Sequence, residues 1–210
     1  MSNDKIDESR RKFLKIVGIG SVVVAAGGFA PALSYLIAPS VGLTSFPTLT
    51  LVDTSGNPIK ASSIPENNPI ITLFNYPLLN EPTFLLNLGK SVPNGVGPNN
   101  NIVAYSAICQ HLGCVPPSIK FYPPGSPTIM GYNTYIMCSC HGSTYDPANG
   151  AKIIRGPTVH PLPTCILSYN SVTDTLEATK MSGPVIYGHQ DDLTGGSPPT
   201  DKNTIVTTMG

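Results

Sequence analysis

The sequence predicts an all-β fold, an antiparallel sandwich or partial barrel, preceded by one apolar helix long enough to cross a membrane. Three observations predict it. The 210 residues include 22 Pro and 20 Gly, a punctuation that favours short strands and many turns over long helices. Short runs rich in β-branched and aromatic residues recur between clusters of Gly, Pro, Asn and Ser, the pattern of strands joined by turns. Residues Ile16 to Ala38 carry no charge over 23 residues, about 34 Å as a helix against a bilayer core of about 30 Å.

The elements follow in chain order. Ser9-Arg10-Arg11-Lys12-Phe13-Leu14-Lys15 has the paired arginines that mark twin-arginine export ahead of an apolar stretch. Cleaved signals have shorter apolar regions of about 7–15 residues, so residues 1–38 are expected to stay as a signal-anchor, although Ala30-Pro31-Ala32 resembles a small-residue cut site. Five of the twelve basic residues precede the apolar stretch. They place the N-terminus in the cytoplasm and the rest on the outer face of a cell membrane. Residues 39–47 read as a linker. The exported domain spans 48–187, with strands expected at Thr48–Val52, Ile70–Phe74, Thr83–Leu88, Ile102–Ala107, Thr134–Met137, Thr164–Tyr169 and Thr175–Thr179. Asn170–Asp174 would turn a hairpin between the last two. Residues 188–210 read as a polar, mobile tail. There is no internal repeat.

Charge narrows the partners. The formal net charge is zero and only 11% of residues are charged, which gives no basic face for nucleic acid. So low a charge suits an acidic exterior, where protonation of carboxylates unbalances the net charge.

The chemistry is concentrated in two loops, Cys109-Gln110-His111-Leu112-Gly113-Cys114 and Cys138-Ser139-Cys140-His141-Gly142-Ser143. Each offers a Cys and a His, as Cys-x-His and Cys-x-x-His, and each holds one further Cys. Two thiolates and two imidazoles can bind an asymmetric iron–sulfur pair, one iron on sulfur and the other on nitrogen. The leftover Cys114 and Cys140 lie one in each loop, where a disulfide could tie the loops together. The expected strands leading into the loops would be neighbours and deliver both to one tip. A Cys₂His₂ zinc site is the alternative, but Cys-x-His is tighter than usual zinc spacings and the two extra cysteines go unused. Cys165 has no partner in the motif and reads as a buried free thiol.

The two loops resemble the two boxes of Rieske [2Fe–2S] proteins, in particular the high-potential branch of cytochrome bc-type quinol oxidoreductases. The likeness is strong over about residues 100–165, where Cys138–Tyr145 continues through Asp146 and Gly150 to Gly156-Pro157. It implies a cluster-binding part at about 104–165 holding one [2Fe–2S] cluster. Cys109 and Cys138 would hold the inner iron, and His111 and His141 the outer one. Cys114 and Cys140 would form the bracing disulfide. Ser143 would donate to a bridging sulfide and Tyr145 to the Cys109 thiolate, both raising the potential. Leu112 would cover the cluster, and Gly156-Pro157 would begin a shielding loop. His141 would contact quinol.

The sequence departs from the branch in three places: Ser139 replaces a common Pro, His160 lies in the shielding loop, and Phe121–Gly131 is extra material between the boxes. From Ser91 to Tyr145 the only charged residue is Lys120, an uncharged tip suited to an apolar quinone pocket. The resemblance implies a cytochrome b-type membrane partner, quinol as donor and a cytochrome or copper acceptor. An alternative from the same family is the Rieske small subunit of an exported molybdenum oxidoreductase, similar to arsenite oxidase.

Overall fold

The computed structural model describes residues 44–183 and 195–209. Among them the regular elements are twelve strands and two single-turn 3₁₀ helices. The strands are β1 (Thr44–Val52), β2 (Ile71–Asn75), β3 (Pro82–Asn87), β4 (Ile102–Ser106), β5 (Ile119–Tyr122), β6 (Tyr135–Cys138), β7 (Thr144–Asp146), β8 (Lys152–Arg155), β9 (Thr164–Asn170), β10 (Thr175–Ser182), β11 (Asn203–Ile205) and β12 (Thr207–Met209). Eight form one sheet in the order β11-β1-β10-β9-β4-β3-β2-β12, and four form a second, β5-β6-β7-β8. The all-β expectation holds. The expected membrane helix lies outside the described residues.

Strands β3 and β4 organise the packing because they are apolar on both faces. Along β4, Ile102 and Ala104 join a core with Leu49, Leu51, Phe74, Leu85, Leu176 and Ala178. The intervening Val103 and Tyr105 join a second core with Phe84, Leu86, Ile119, Phe121, Ile136 and Tyr145. Alternate residues of a strand point to opposite faces, so one strand pair serves both cores. The first core fills the large sheet; the second glues that sheet to the small one. A side chain of this size contributes roughly 1.5–3 kcal/mol when fully buried.

The large sheet is closed by its own C-terminus. Its two edges, β11 and β12, are separated in sequence by Val206 alone. Asn203–Ile205 pairs in parallel with β1, Thr207–Met209 pairs antiparallel with β2, and Val206 donates to the Val52 carbonyl at 2.8 Å. The Thr204 hydroxyl reaches across to the Asn75 carbonyl at 2.9 Å. One short segment therefore bridges both open edges and removes them, as barrel closure does.

Four expectations are corrected. Residues 195–209 are not a free tail, because backbone pairing across two edges holds a segment whose side chains carry no strand signal. The linker expected at 39–47 gives way to β1 from Thr44, with a register shift between Ser45 and Leu49. Pro47, which has no N–H to donate, sits in that irregularity. Strands β5, β7, β8, β11 and β12 were not foreseen; each is three or four residues long, too short to show a period. The strands entering the two Cys/His loops are not neighbours: β4 belongs to the large sheet and β6 to the small one.

Candidate metal centre

The loops meet by a route other than strand adjacency. The chain leaves β4, makes the first loop at Cys109–Cys114, and returns as β5, which pairs with β6 so that Ile119 stands opposite Cys138. The second loop then leaves β6 and re-enters the small sheet as β7. The extra material between the boxes begins within β5, where Phe121 is part of the core, and continues toward β6. It is pinned by the Tyr135 hydroxyl, which donates to the Pro127 carbonyl at 2.9 Å.

The two loops share one backbone. In the first, the Cys109 N–H donates to the Cys114 carbonyl and the Gly113 N–H to the Cys109 carbonyl, both at 2.9 Å. In the second, the Cys138 N–H donates to the Ser143 carbonyl and the Gly142 N–H to the Cys138 carbonyl, again both at 2.9 Å. The fifth residue of each is a glycine in the left-handed region, Gly113 at φ 77° and Gly142 at φ 80°, where a Cβ would be strained.

This shared turn brings the expected residues together. The rings of His111 and His141 lie edge to face, centroids 4.8 Å apart. Cys109 and Cys138 are free thiols and buried. A Cys138 hydrogen bond, followed by those of the Tyr145 hydroxyl, the His111 N–H and the Ser143 hydroxyl, holds the Cys109 thiol well below its usual range despite burial. The shared proton and burial push Cys138 the other way. Cys114 and Cys140 form a disulfide with Cα atoms 6.9 Å apart. The Cys138 sulfur lies within 4.8 Å of both bridged sulfurs, so the brace sits beside the thiol pair.

Tyr145 is fully buried. Its Oη lies 3.5 Å from Cys109 Sγ and accepts from the Gln110 N–H at 3.3 Å. That acceptance leaves its own proton for the sulfur. Ser143 Oγ accepts from the Thr158 N–H at 3.2 Å, which orients its hydroxyl toward Cys109. The same bond ties the Gly156-Pro157 loop to the second ligand loop. A Cβ on Gly156 would stand 3.0 Å from the Thr158 carbonyl oxygen, so a side chain there would crowd the turn. Leu112 is 53% exposed and Val159 75% exposed. Both present apolar side chains to solvent. His160 is exposed, and Cys165 is a buried free thiol.

Two residues with a part here carried no sequence signal. Thr158 orients Ser143 from fifteen residues away. Arg155 brings its guanidinium back over Gly142, so the uncharged stretch Ser91–Tyr145 does not describe the whole tip.

The donor set fits a cluster with sulfur at one end and nitrogen at the other. Two soft thiols share a proton and two imidazoles touch. His111 Nδ1 is buried with no hydrogen-bond partner, an arrangement costly for a neutral polar atom unless it ligates something. Backbone N–H groups of His111, Cys140 and His141 already point at the two sulfurs, as hydrogen bonds to thiolate ligands do in such centres.

Comparison with known proteins agrees with this geometry. Residues 64–166 match the Rieske [2Fe-2S] domain. The chain is 34% identical over 175 residues to "Cytochrome b6-f complex iron-sulfur subunit 2" of Synechocystis sp., covering 82% of this chain and 84% of that one. It is 35% identical over 161 residues to the cytochrome b6-f complex iron-sulfur subunit of Synechococcus sp. strain CC9605, covering 74% and 77%. Among solved structures it resembles the soluble domain of Rieske protein II from Sulfolobus acidocaldarius. That match has TM-score 0.51 and 26% identity, and covers 75% of this chain and 85% of that one. The chain belongs to the Rieske [2Fe–2S] protein family and carries one Rieske-type cluster.

Proposed function

We propose that this chain is the anchored Rieske subunit of a cytochrome b-containing, quinol-oxidising complex, passing electrons to a cytochrome or copper acceptor. In this reading Cys109 and Cys138 hold one iron, and His111 and His141 hold the other. The observation that carries it is the asymmetry of the two histidines. His111 is partly buried with an unpartnered Nδ1. His141, in ring contact with it, is exposed.

When bound, the cluster supplies a one-electron acceptor and donor between the loops. The exposed His141 imidazole accepts a hydrogen bond from a quinol hydroxyl and takes up its proton as the electron arrives. Leu112 and Val159 offer apolar surface for docking against a quinone pocket, where buried unpaired charge would be costly. Tyr145 and Ser143 stabilise added negative charge at Cys109.

Membrane placement rests on the twin-arginine pattern and the uncharged stretch at 16–38, and on the naming of relatives as cytochrome b6-f complex subunits. In this arrangement the signal-anchor, 1–38, holds the exported domain on the outer face of a cell membrane.

The test is affinity purification from detergent-solubilised membranes. The expected result is a full-length chain beginning near Met1, a haem-bearing membrane subunit, and quinol-dependent reduction of an added cytochrome that His141→Ala abolishes. Co-purification of a molybdenum subunit without haem, or a chain starting after Ala32, would overturn it.

A further inference from the structure

Arg155 ends β8 directly before the Gly156-Pro157 loop, and its position in the small sheet is unusual. The register places Lys120 opposite Met137, Met137 opposite Thr144, and Thr144 opposite Arg155. These four residues form one row from edge to edge of the sheet. At the far end of the row the guanidinium folds back over the second ligand loop. A Cβ built on Gly142 would lie 3.3 Å from Arg155 Nη2. The guanidinium therefore covers the Gly142 α-carbon, one residue from His141. The φ of 80° at Gly142 is what calls for glycine there, and the guanidinium occupies the space beside it.

The charge is uncompensated among the described residues. Asp146 stands opposite Lys152 in the same strand pair, and its carboxylate accepts from the Ala148 N–H at 3.0 Å. From Ser91 to Tyr145 the chain has no carboxylate at all. On the same face, burial and then the Tyr122 hydroxyl push the Tyr135 pKa up, and the Arg155 charge opposes them only in part.

Resting on the ligand assignment above, we propose that Arg155 is a positioning residue for the electron: its guanidinium, seated over Gly142, raises the reduction potential of the cluster. Reduction adds one negative charge between the loops, and a fixed cation beside them favours that state. Because Arg155 is exposed, dissolved salt screens the effect.

The test uses the full chain with its cluster loaded, titrated with EPR detection at low and high salt. Arg155→Gln should keep the wild-type line shape and cluster content. Its ratio of reduced to oxidised cluster at a fixed ambient potential should fall about threefold, or about 30 mV at 59 mV per tenfold for one electron. The gap should close near 1 M salt, where the screening length is about 3 Å. Arg155→Lys should recover most of the wild-type potential. Arg155→Met, which keeps the stem over Gly142, repeats the measurement if the Gln variant loses its cluster. Equal potentials at low salt would overturn the proposal, as would a gap that salt does not narrow. Failure of the ligand assignment reads out separately: His141→Ala would then keep the Rieske EPR signal.

Discussion

The two ligand loops have the same backbone and opposite surroundings. Each is closed by the same pair of hydrogen bonds around a left-handed glycine. Yet the first is packed inside apart from Leu112, with Cys109 2%, Gln110 3% and Cys114 5% exposed, while the second is buried only at its ends, Cys138 and Ser143, and exposes Ser139, Cys140 and His141. Position by position, the third residue is His111 in one loop and Cys140 in the other, and the fourth is Leu112 against His141. A single turn, used twice, thus produces one loop that anchors the centre in the core and one that presents it to a partner.

That contrast separates stability from reactivity, and the largest expected effects break it directly. Cys109→Ala should lose the cluster and also destabilise the fold, since it opens a hole in the shared core, at about 1–3 kcal/mol in thermal unfolding. His141→Ala should lose the Rieske EPR signal and quinol oxidation while leaving the apo-protein's melting temperature within about 2 °C, because an exposed side chain contributes little packing. Equal melting losses in the two variants would refute the division of labour between loops.

Next comes the brace that couples the loops. Cys140→Ser should remove about 2–4 kcal/mol of stability and make cluster loss faster at elevated temperature, followed by the decay of visible absorbance. A comparable loss comes from a distant place. Ending the chain at Lys202 removes β11 and β12 together and reopens both edges of the large sheet. It should lower the melting temperature by about 4–8 °C, equivalent to about 2 kcal/mol. The cluster's EPR line shape should stay unchanged, because the seam touches neither loop.

Smaller effects sharpen the buried half of the comparison. Tyr145→Phe and Ser143→Ala should each keep the cluster and lower its midpoint by on the order of 60 mV, the worth of one charge-assisted hydrogen bond. Titrations of both variants check this, and an unchanged midpoint would remove that group from the tuning set. The smallest effect lies away from the loops. Hydrogen bonds, led by the Ser62 hydroxyl, hold the Asp174 carboxyl below its ordinary range. A depressed carboxyl stabilises the fold above its unfolded pKa and loses that contribution as pH falls through the folded value. Asp174→Asn should therefore lose that small contribution at neutral pH and converge with the wild type as pH falls below about 4, which flattens the acid end of the stability curve.

How much of this was legible in the sequence follows the same division. The ligand loops were readable because sulfur, imidazole and glycine are chemically scarce and their spacing is local. The turn that closes each loop spans only six residues. Strands β3 and β4 were readable because runs buried on both faces are continuously apolar. The seam was not: Asn203–Ile205 and Thr207–Met209 are held by backbone pairing to strands more than 130 residues earlier, and their side chains are mostly exposed. The route by which the loops meet was also hidden, since it depends on β5, four residues long, pairing with β6. Thr158 and Arg155 escaped for a related reason. Their roles come from register across the small sheet and from a loop folding back, neither of which leaves a periodic trace.

The central claim is that the exposed His141 ligates and couples electron to proton. The most direct measurement is the cluster's midpoint potential as a function of pH, followed by EPR on the intact membrane fraction. The account predicts a high midpoint that is level at low pH. Above the imidazole's oxidised-state pKa it should fall with a slope approaching about 59 mV per pH unit, because reduction then takes up a proton at the histidine. A midpoint independent of pH up to pH 10 would contradict it.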